Sequence, residues 1–227
     1  MHILLAAATT LEIQPTTRFL EKGGFRLGSH KISLLSTGVG ALATTHSLMR
    51  QTREQRPDLV IQAGIAGCFT RKEPGEVLVI KEELLDLGVW EADGFKNLFD
   101  LQLAGRDSLP FSNGLLINPF ATLLQLTALE QARGFSVNEI TTDPGRIHWL
   151  QQNYSPVVES MEGGALHYTC LLEGIPFLQL RSVSNAIGVR DKAKWDIPAA
   201  VRRLNEELIH LLSQLATADE TILERSA

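Results

Sequence analysis

Carboxylates and glycines follow several of the strands that the sequence predicts, and these are the residues that could do chemistry. Glu12 comes shortly after the first apolar run, and Glu162 follows a later one, directly before Gly163 and Gly164. A carboxylate in such a position can accept hydrogen bonds from sugar hydroxyls or take a proton from water. A glycine lets backbone N–H groups approach a ligand closely. The pattern therefore favours a site that binds a polar small molecule and activates water.

Several of these features also have structural explanations. Glu12, close to Thr9 and Thr10, is suited to capping the first turn of a helix. The stretch Thr37-Gly38-Val39-Gly40 is half of a dinucleotide-binding fingerprint, so a dinucleotide-dependent oxidoreductase would rest on two glycines alone. Asn185, after a strand, is of a type common in turns. These alternatives stay open on the residues taken singly.

The elements that must position these residues alternate along the chain. Short apolar runs bounded by Gly, Pro or Asp predict strands, and apolar stripes between them predict amphipathic helices. This alternation indicates an α/β fold, with a three-layer αβα arrangement around a central mixed, mostly parallel twisted sheet. We expect one domain over residues 1–216 and a flexible tail over residues 217–227. The predicted strands cover residues 2–8, 31–36, 59–63, 76–81, 136–141, 156–158 and 176–184, and the predicted helices 39–55, 119–133 and 197–215.

Residues 84–110 are less regular and contain several glycines and aspartates. Long irregular segments in compact domains are usually functional. We therefore expect an active-site loop or a subunit contact in this segment.

Composition and charge exclude several classes of function. The formal net charge of −5 gives no basic footprint for nucleic acid, and no stretch approaches the roughly 18 apolar residues of a membrane span. The apolar start is short and has no preceding Lys or Arg, so it predicts a buried strand rather than a signal peptide. Cys68 and Cys170 form no framework, and His148 and His167 have no partners at metal-ligand spacing. We expect a cytoplasmic protein without a metal or cofactor.

Several segments resemble the nucleoside phosphorylase and nucleosidase superfamily, and together they cover nearly the whole chain. Glu12 falls where the nucleosidases keep a water-activating glutamate, and residues 181–185 resemble the strand end that reaches the base. Residues 86–99, and Arg190 through Trp195, are similar to the futalosine hydrolases more than to other members. Two further matches are Ser160-Met161-Glu162, which resembles the ribose clamp, and Gly64-Ile65-Ala66-Gly67, which resembles the glycine loop beside the ribose.

Asn185 stands where the adenine-specific nucleosidases have an aspartate. A carboxylate only accepts hydrogen bonds, which suits the amino group of adenine, whereas an amide both donates and accepts. An amide can donate to a 6-oxo group and accept from a ring N–H, and one unpaired group in a dry site would cost roughly 1–3 kcal/mol. Asn185 therefore points to hypoxanthine, the base of futalosine.

A second departure from the superfamily concerns phosphate. Hexameric phosphorylases have an arginine just before the glycine loop and a hydroxyl within it, and these positions correspond here to Gln62 and Ile65. Arginine is the natural bidentate partner of phosphate, so water is the expected nucleophile. Another arginine, such as Arg18, could substitute for the missing one.

The resemblance implies an N-glycosyl hydrolase that releases hypoxanthine from futalosine in menaquinone biosynthesis. In this interpretation Glu162 accepts the ribose hydroxyls beside Met161, Glu12 activates water, and Arg181 positions both acid and water. Asn185 holds the base, and the proton for the base comes from water or Asp191, or is not needed. The remaining expectations are an apolar pocket from Phe95, Phe99 and Leu101, and a cation for the benzoate from Lys96 or Arg106.

Other functions remain open at this point. A methylthioadenosine/S-adenosylhomocysteine nucleosidase and a 6-oxopurine nucleoside phosphorylase are the enzymatic alternatives. A nucleoside-binding protein without catalysis is the non-enzymatic one. The resemblance also implies a homo-oligomer and a small-molecule nucleoside as the partner. Glu159, near the end of its predicted strand, has no role in the resemblance.

Overall fold

The structure, a computed structural model, describes residues 1–218 and 220–225. Within the predicted tail, Glu220–Leu223 forms a 3-10 helix and Ile222 is buried against the core. Residues 219, 226 and 227 lie outside the described part, so the flexible tail stays a prediction there. The described strands are β1 (His2–Ala7), β2 (Arg26–Leu27), β3 (His30–Ser36), β4 (Leu59–Cys68), β5 (Val77–Leu85), β6 (Gly88–Glu91), β7 (Gly94–Asn97), β8 (Leu116–Ile117), β9 (Glu130–Ser136), β10 (Val158–Ser160) and β11 (Phe177–Ala186). The described α-helices are α1 (Gln14–Glu21), α2 (Ala41–Glu54), α3 (Ala121–Leu126), α4 (Pro144–Tyr154), α5 (Gly163–Glu173) and α6 (Ile197–Leu215).

The main sheet closes partly on itself. Its strand order is β10-β9-β5-β11-β4-β1-β3-β2, and β10 also pairs with β4. Five strands (β10, β9, β5, β11 and β4) therefore form a ring, and β1, β3 and β2 extend from it. The result is a mixed α/β fold whose sheet is a partial barrel.

The sheet is mixed, as the sequence predicts, but the expectation that it is mostly parallel is not confirmed. Among the described residues, five of the nine pairings in the main sheet are parallel and four are antiparallel. Buried parallel and antiparallel strands both appear as continuous apolar runs, so hydrophobicity alone does not distinguish their directions.

Helix α6 has the bounds that its apolar stripe predicts. Asp196 caps it by accepting a hydrogen bond from the N–H of Ala199 at 2.9 Å, and Pro198 occupies its first turn. Leu204, Leu208 and neighbouring leucines of the same face are buried. The helix packs on β11 and β4, the two central strands that reach the cleft described below.

The prediction for residues 119–141 is wrong. The leucine-rich helix stops at Leu126, and Ala128 has a left-handed backbone with φ of 52°. Strand β9 then occupies Glu130–Ser136, before the segment predicted to be a strand. The apolar residues of α3 and of the start of β9 are together compatible with helical spacing, so the hydrophobic periodicity predicts one continuous helix where there are two elements. The irregular segment 84–110 contains the hairpin of β6 and β7.

Helix α5 starts in direct contact with the sheet. A Cβ at Gly163 would collide with Gln179 Nε2, and one at Gly164 would collide with Leu85 Cδ2. Only glycine permits this approach. The two glycines therefore bring Glu162, which directly precedes the helix, close to the strand ends.

Candidate active site

A cleft of about 650 Å³ opens where β1, β4, β10 and β11 end. In sheets with parallel strands, ligands bind at the carboxyl ends, where loops diverge. The residues lining the cleft include Thr9, Glu12, Ile65, Ala66, Gly67, Glu159, Ser160, Met161, Glu162, Asn185, Arg190 and Trp195.

Glu12 is held in the cleft by three hydrogen-bond donors. Its Oε2 accepts from the backbone N–H and the hydroxyl of Thr9, at 2.9 and 3.1 Å, and its Oε1 accepts from the N–H of Ile65 at 3.2 Å. Helix α1 begins only at Gln14 and has no acid in its first turn, so Glu12 does not cap that helix. Its carboxylate instead joins the end of β1 to β4, with a fixed orientation.

Glu162 is a buried carboxylate whose two oxygens have separate partners. Oε1 accepts from the N–H of Gly40 at 3.0 Å, and Oε2 lies 3.5 Å from Arg181 Nη2. Gly40 has φ of 91° and ψ of 165°, a conformation that is essentially restricted to glycine. The Thr37–Gly40 stretch therefore supports Glu162, which is a role that its partial dinucleotide fingerprint does not indicate.

Arg181 lies beneath the cleft and is 1% exposed. Its Nη2 donates to Gln62 Oε1 at 2.8 Å, so the side chain of Gln62 is used inside the protein. Gly64 provides space for this arrangement, because a Cβ there would collide with Arg181 Nη1 and lie 3.0 Å from Glu12 Oε1. Arg181 and Glu12 thus approach each other beside Gly64, and Arg181 also lies near Glu162.

Asn185 lies at a bulge near the end of β11. Its Oδ1 accepts from the hydroxyl of Ser184 at 2.8 Å, and its Nδ2 donates to the carbonyl of Ala186 at 2.9 Å. An amide has two N–H groups and two acceptor lone pairs, so one donor and one acceptor remain for a ligand.

The Gly64–Gly67 segment and the Ser160–Glu162 segment border the same cleft. The former continues β4 to Cys68, so the predicted strand ending at residue 63 is too short. Ser160 Oγ accepts from the N–H of Gly163 at 3.3 Å, which anchors the start of α5. Met161 lines the cleft and packs against a neighbouring apolar cluster.

Four residues predicted to bind substrate do not line this cleft, namely Gly64, which lies beside Arg181, and Phe95, Phe99 and Asp191. Phe95 is 3% exposed and packs against Trp90 and Trp149, and Phe99 packs against Phe111 elsewhere. Asp191 is exposed and accepts from the N–H of Ala193. Phe95 and Phe99 pack with other aromatic rings in the core beside the β6–β7 hairpin. The sequence alone does not distinguish aromatic residues of a core from those of a binding pocket.

The cations suggested for a benzoate group also lie elsewhere. Lys96 pairs with Asp93 at 2.7 Å, and Arg106 pairs with Asp100 at 2.7 Å. Arg190 lines the cleft, is exposed, and has no ion-pair partner among the described residues. The sequence offered one indication of a role for Arg190, namely that it begins a segment similar to the futalosine hydrolases.

The two candidate histidines are structural. His148 is exposed on α4. His167 is fully buried on α5, its Nδ1 lies 3.0 Å from the carbonyl of Leu116, and burial lowers its pKa to about 3. Both lie outside the residues that line the cleft.

Residues 4–217 match the sequence profile of the Phosphorylase superfamily. The chain belongs to the phosphorylase superfamily. It is 30% identical to the futalosine hydrolase of Streptomyces coelicolor over 91% of this chain and 93% of that protein. It is 24% identical to a 5′-methylthioadenosine/S-adenosylhomocysteine nucleosidase of Tolumonas auensis, over 83% and 84%. Within the phosphorylase superfamily, the chain groups with the futalosine hydrolases.

Solved structures of the superfamily share this fold. The futalosine hydrolase of Helicobacter pylori aligns with a TM-score of 0.74, at 15% identity, over 94% of this chain and 98% of that one. None of the helices that the structure describes has both the length and the apolar character needed to cross a membrane.

Proposed function

We propose that this protein hydrolyses the N-glycosidic bond of futalosine and releases hypoxanthine and dehypoxanthine futalosine. The observation that carries the proposal is the meeting of Glu12, Glu162 and Asn185 in one cleft of a chain similar to futalosine hydrolases. Two carboxylates and an amide match the three parts of the reaction, which are water, ribose and base.

Glu162 would bind the ribose. Gly40 and Arg181 orient its oxygens without using all of their lone pairs, so the carboxylate can accept the sugar hydroxyls. Its negative charge would also stabilise the positive charge that develops on the ribose as the glycosidic bond breaks. Met161 would pack beside the sugar.

Glu12 would act as the general base. The donors from Thr9 and Ile65 fix the direction of its carboxylate toward one side of the cleft. A water molecule between this carboxylate and C1′ would bond to C1′ through its oxygen and give its proton to Glu12. Arg181 lies next to Glu162, and its other terminal nitrogen borders Gly64, as Glu12 does. Arg181 would thereby position both Glu12 and Glu162.

Asn185 would select the base. Its free N–H can donate to the 6-oxo group or to N7 of hypoxanthine, and its remaining lone pair can accept from a ring N–H. An adenine nucleoside, as in the methylthioadenosine nucleosidases, would leave this pairing incomplete. This difference favours futalosine over the adenine nucleosides.

Water is favoured over phosphate as the nucleophile. Gln62 stands at the position of the phosphorylase arginine and accepts from Arg181, and Ile65 offers only an aliphatic side chain. Arg18 lines a separate cavity of about 280 Å³ that shares Thr9 with the cleft. Arg18 is therefore outside the set of groups that line the reaction cleft.

Arg190 and Trp195 would bind the acyl and aryl end of futalosine. Trp195 donates from Nε1 to the carbonyl of Val189 at 2.7 Å, which fixes its ring near Arg190. Ile197 and Leu11 add apolar surface to the same cleft. An exposed arginine beside apolar side chains suits a benzoate group.

We also propose a homo-oligomer in the cytoplasm. Leu42, Leu103 and Leu109 are 88%, 76% and 76% exposed, and the last two lie in the segment expected to form a subunit contact. Large apolar side chains that are exposed on a single chain are candidates for burial in a subunit contact. Both cysteines are free, in accord with a reducing compartment. Light scattering on the purified protein measures the stoichiometry.

The test of the function is a substrate panel with and without phosphate. We expect free hypoxanthine from futalosine in phosphate-free buffer, and little adenine from methylthioadenosine. Strict dependence on phosphate would support a phosphorylase, and release of adenine alone would support the adenine nucleosidase. Saturable binding of futalosine without turnover would support a nucleoside-binding protein.

A further inference from the structure

Glu159 is a buried acid in the cleft that takes no part in the mechanism above. It lies in β10 and is 5% exposed. Its Oε1 accepts from the N–H of Thr141 at 3.1 Å, whereas Oε2 is buried without a hydrogen-bond partner among the described residues. An ionised carboxylate with an unpaired buried oxygen is costly. Burial is the main cause that raises the pKa of Glu159 above its usual value.

The sheet register places Glu159 and Asn185 on the two sides of Gly67. Gly67 pairs with Glu159 on β10 and with Asn185 on β11. Side chains in register on neighbouring strands share a face, and two strand spacings put the outer Cα atoms about 10 Å apart. Gly67 leaves the middle position without a side chain and lines the cleft. The flexible end of the Ile187 side chain lies over this glycine, so a flat base enters the row between the amide and the carboxyl group by displacing Ile187 Cδ1.

Resting on the function proposed above, we propose that Glu159 is the general acid that protonates the departing hypoxanthine. The neutral carboxyl group gives its proton to a ring nitrogen as the bond between C1′ and N9 breaks and its electron pair moves to the purine. The water oxygen bonds to C1′ and Glu12 takes the proton of that water. Glu159 ends as a carboxylate and Glu12 as a carboxylic acid, and exchange with solvent restores both. Asn185 cannot supply this proton, because a neutral amide is not an acid at these pH values.

Two charged side chains face Glu159 from the neighbouring elements. Arg146 on α4 lowers its pKa and Asp86, after β5, raises it, and these two form an ion pair with each other. Because these two effects oppose each other, burial remains the largest influence on the pKa of Glu159. Since the acid acts in its protonated form, kcat/KM should fall as the pH rises through the pKa of Glu159.

The experiment compares two leaving groups in the full-length Glu159→Gln variant. Glutamine keeps an oxygen for the N–H of Thr141 but has no acidic proton. We expect hypoxanthine release from futalosine to fall about 10²–10⁴-fold. The decrease of kcat/KM at high pH that the wild type shows should be absent from the variant. Hydrolysis of 4-nitrophenyl riboside, whose leaving group needs no proton, should stay within about twofold of the wild type. Glu139→Gln, the same change at an exposed nearby acid, should leave both substrates unchanged.

Other results would overturn this role. Equal losses on both substrates would show that Glu159 only supports the structure, and unchanged futalosine turnover would remove it from the reaction. The control against failure of the proposed function is the wild type itself. If it releases no hypoxanthine from futalosine but cleaves inosine, the futalosine assignment fails, and the same two-substrate comparison with inosine still decides the role of Glu159.

Discussion

Arg181 Nη2 lies 3.5 Å from Glu162 Oε2, and both side chains are almost completely buried. Removing one partner of such a pair leaves the other as an uncompensated buried charge. The same arginine donates to Gln62, and its Nη1 lies over Gly64 beside Glu12. Arg181 therefore pairs with Glu162 and lies beside Gly64, which Glu12 also borders, so we expect replacement of Arg181 to disturb both of the roles proposed for these acids.

Replacing Glu12 with Gln tests the general base. The amide keeps the size of the side chain and cannot take a proton, so we expect turnover to fall about 10²–10⁴-fold with KM nearly unchanged. Steady-state release of hypoxanthine measures this turnover. The control is Glu54→Gln, the same change at an exposed acid at the end of α2. Near-normal turnover would exclude Glu12 as the base.

Replacing Asn185 with Asp tests base selection. The carboxylate loses the N–H that would pair with hypoxanthine, so release of hypoxanthine should fall by about tenfold or more. Cleavage of methylthioadenosine should become measurable, since a carboxylate accepts from the 6-amino group. Chromatography of the released bases measures the ratio, and an unchanged preference would refute the assignment.

Gly40→Ala tests the link between the Thr37–Gly40 turn and Glu162. No atom lies within 4 Å of the added Cβ, so the effect is conformational, and the Gly40 N–H should turn away from Glu162. A hydrogen bond to a charged group contributes about 1.5–3 kcal/mol, which predicts a roughly 10–100-fold loss of kcat/KM. Gly24→Ala, at φ of 61° and equally open, is the matched control. It should lower the melting temperature but leave kcat/KM intact, and parallel losses of activity would contradict the link.

Arg190→Gln tests recognition of the charged end of futalosine. We expect KM for futalosine to rise about fivefold with kcat preserved, because a rim ion pair contributes about 1 kcal/mol. Inosine, which lacks the benzoate, should be unaffected. Equal effects on the two substrates would assign Arg190 to the base or ribose instead.

Glu83 predicts a pH dependence of stability. It is fully buried, Ser136 donates to its Oε1 at 2.8 Å, and burial raises its pKa from 4.5 to about 7. The folded state holds this proton more tightly than the unfolded state, so stability is greatest below pH 4.5 with respect to this group and falls as the pH rises to about 7. The full loss is roughly 3 kcal/mol.

Chemical denaturation across this range measures the effect. Glu83→Gln should flatten the dependence and stabilise the protein at pH 8 relative to the wild type. The exposed Glu54→Gln variant should retain the slope. An unchanged slope in Glu83→Gln would show that other groups cause it.

The sequence predicts some elements well and others poorly, for physical reasons. The 197–215 helix combines an apolar stripe, a capping aspartate and a proline, and these local signals agree. Phe95 and Phe99 do not line the cleft of the described chain, because an aromatic side chain buries equally well in a core, and their contact with substrate stays a prediction. The pairing of Gly40 with Glu162 joins residues far apart in sequence, and no local pattern carries that contact.

The ring of five strands also determines how a substrate can enter. Because β10 pairs with both β9 and β4, the strand that holds Glu159 has no free edge, and β11 with Asn185 is bounded by β4 and β5. A hinge between the two sides of the base would have to break several backbone hydrogen bonds at once. We therefore expect entry of the nucleoside and release of the purine to depend on movement of residues 187–196, which contribute Ile187, Arg190 and Trp195 to the cleft, and the rate of such a movement would set an upper limit on turnover.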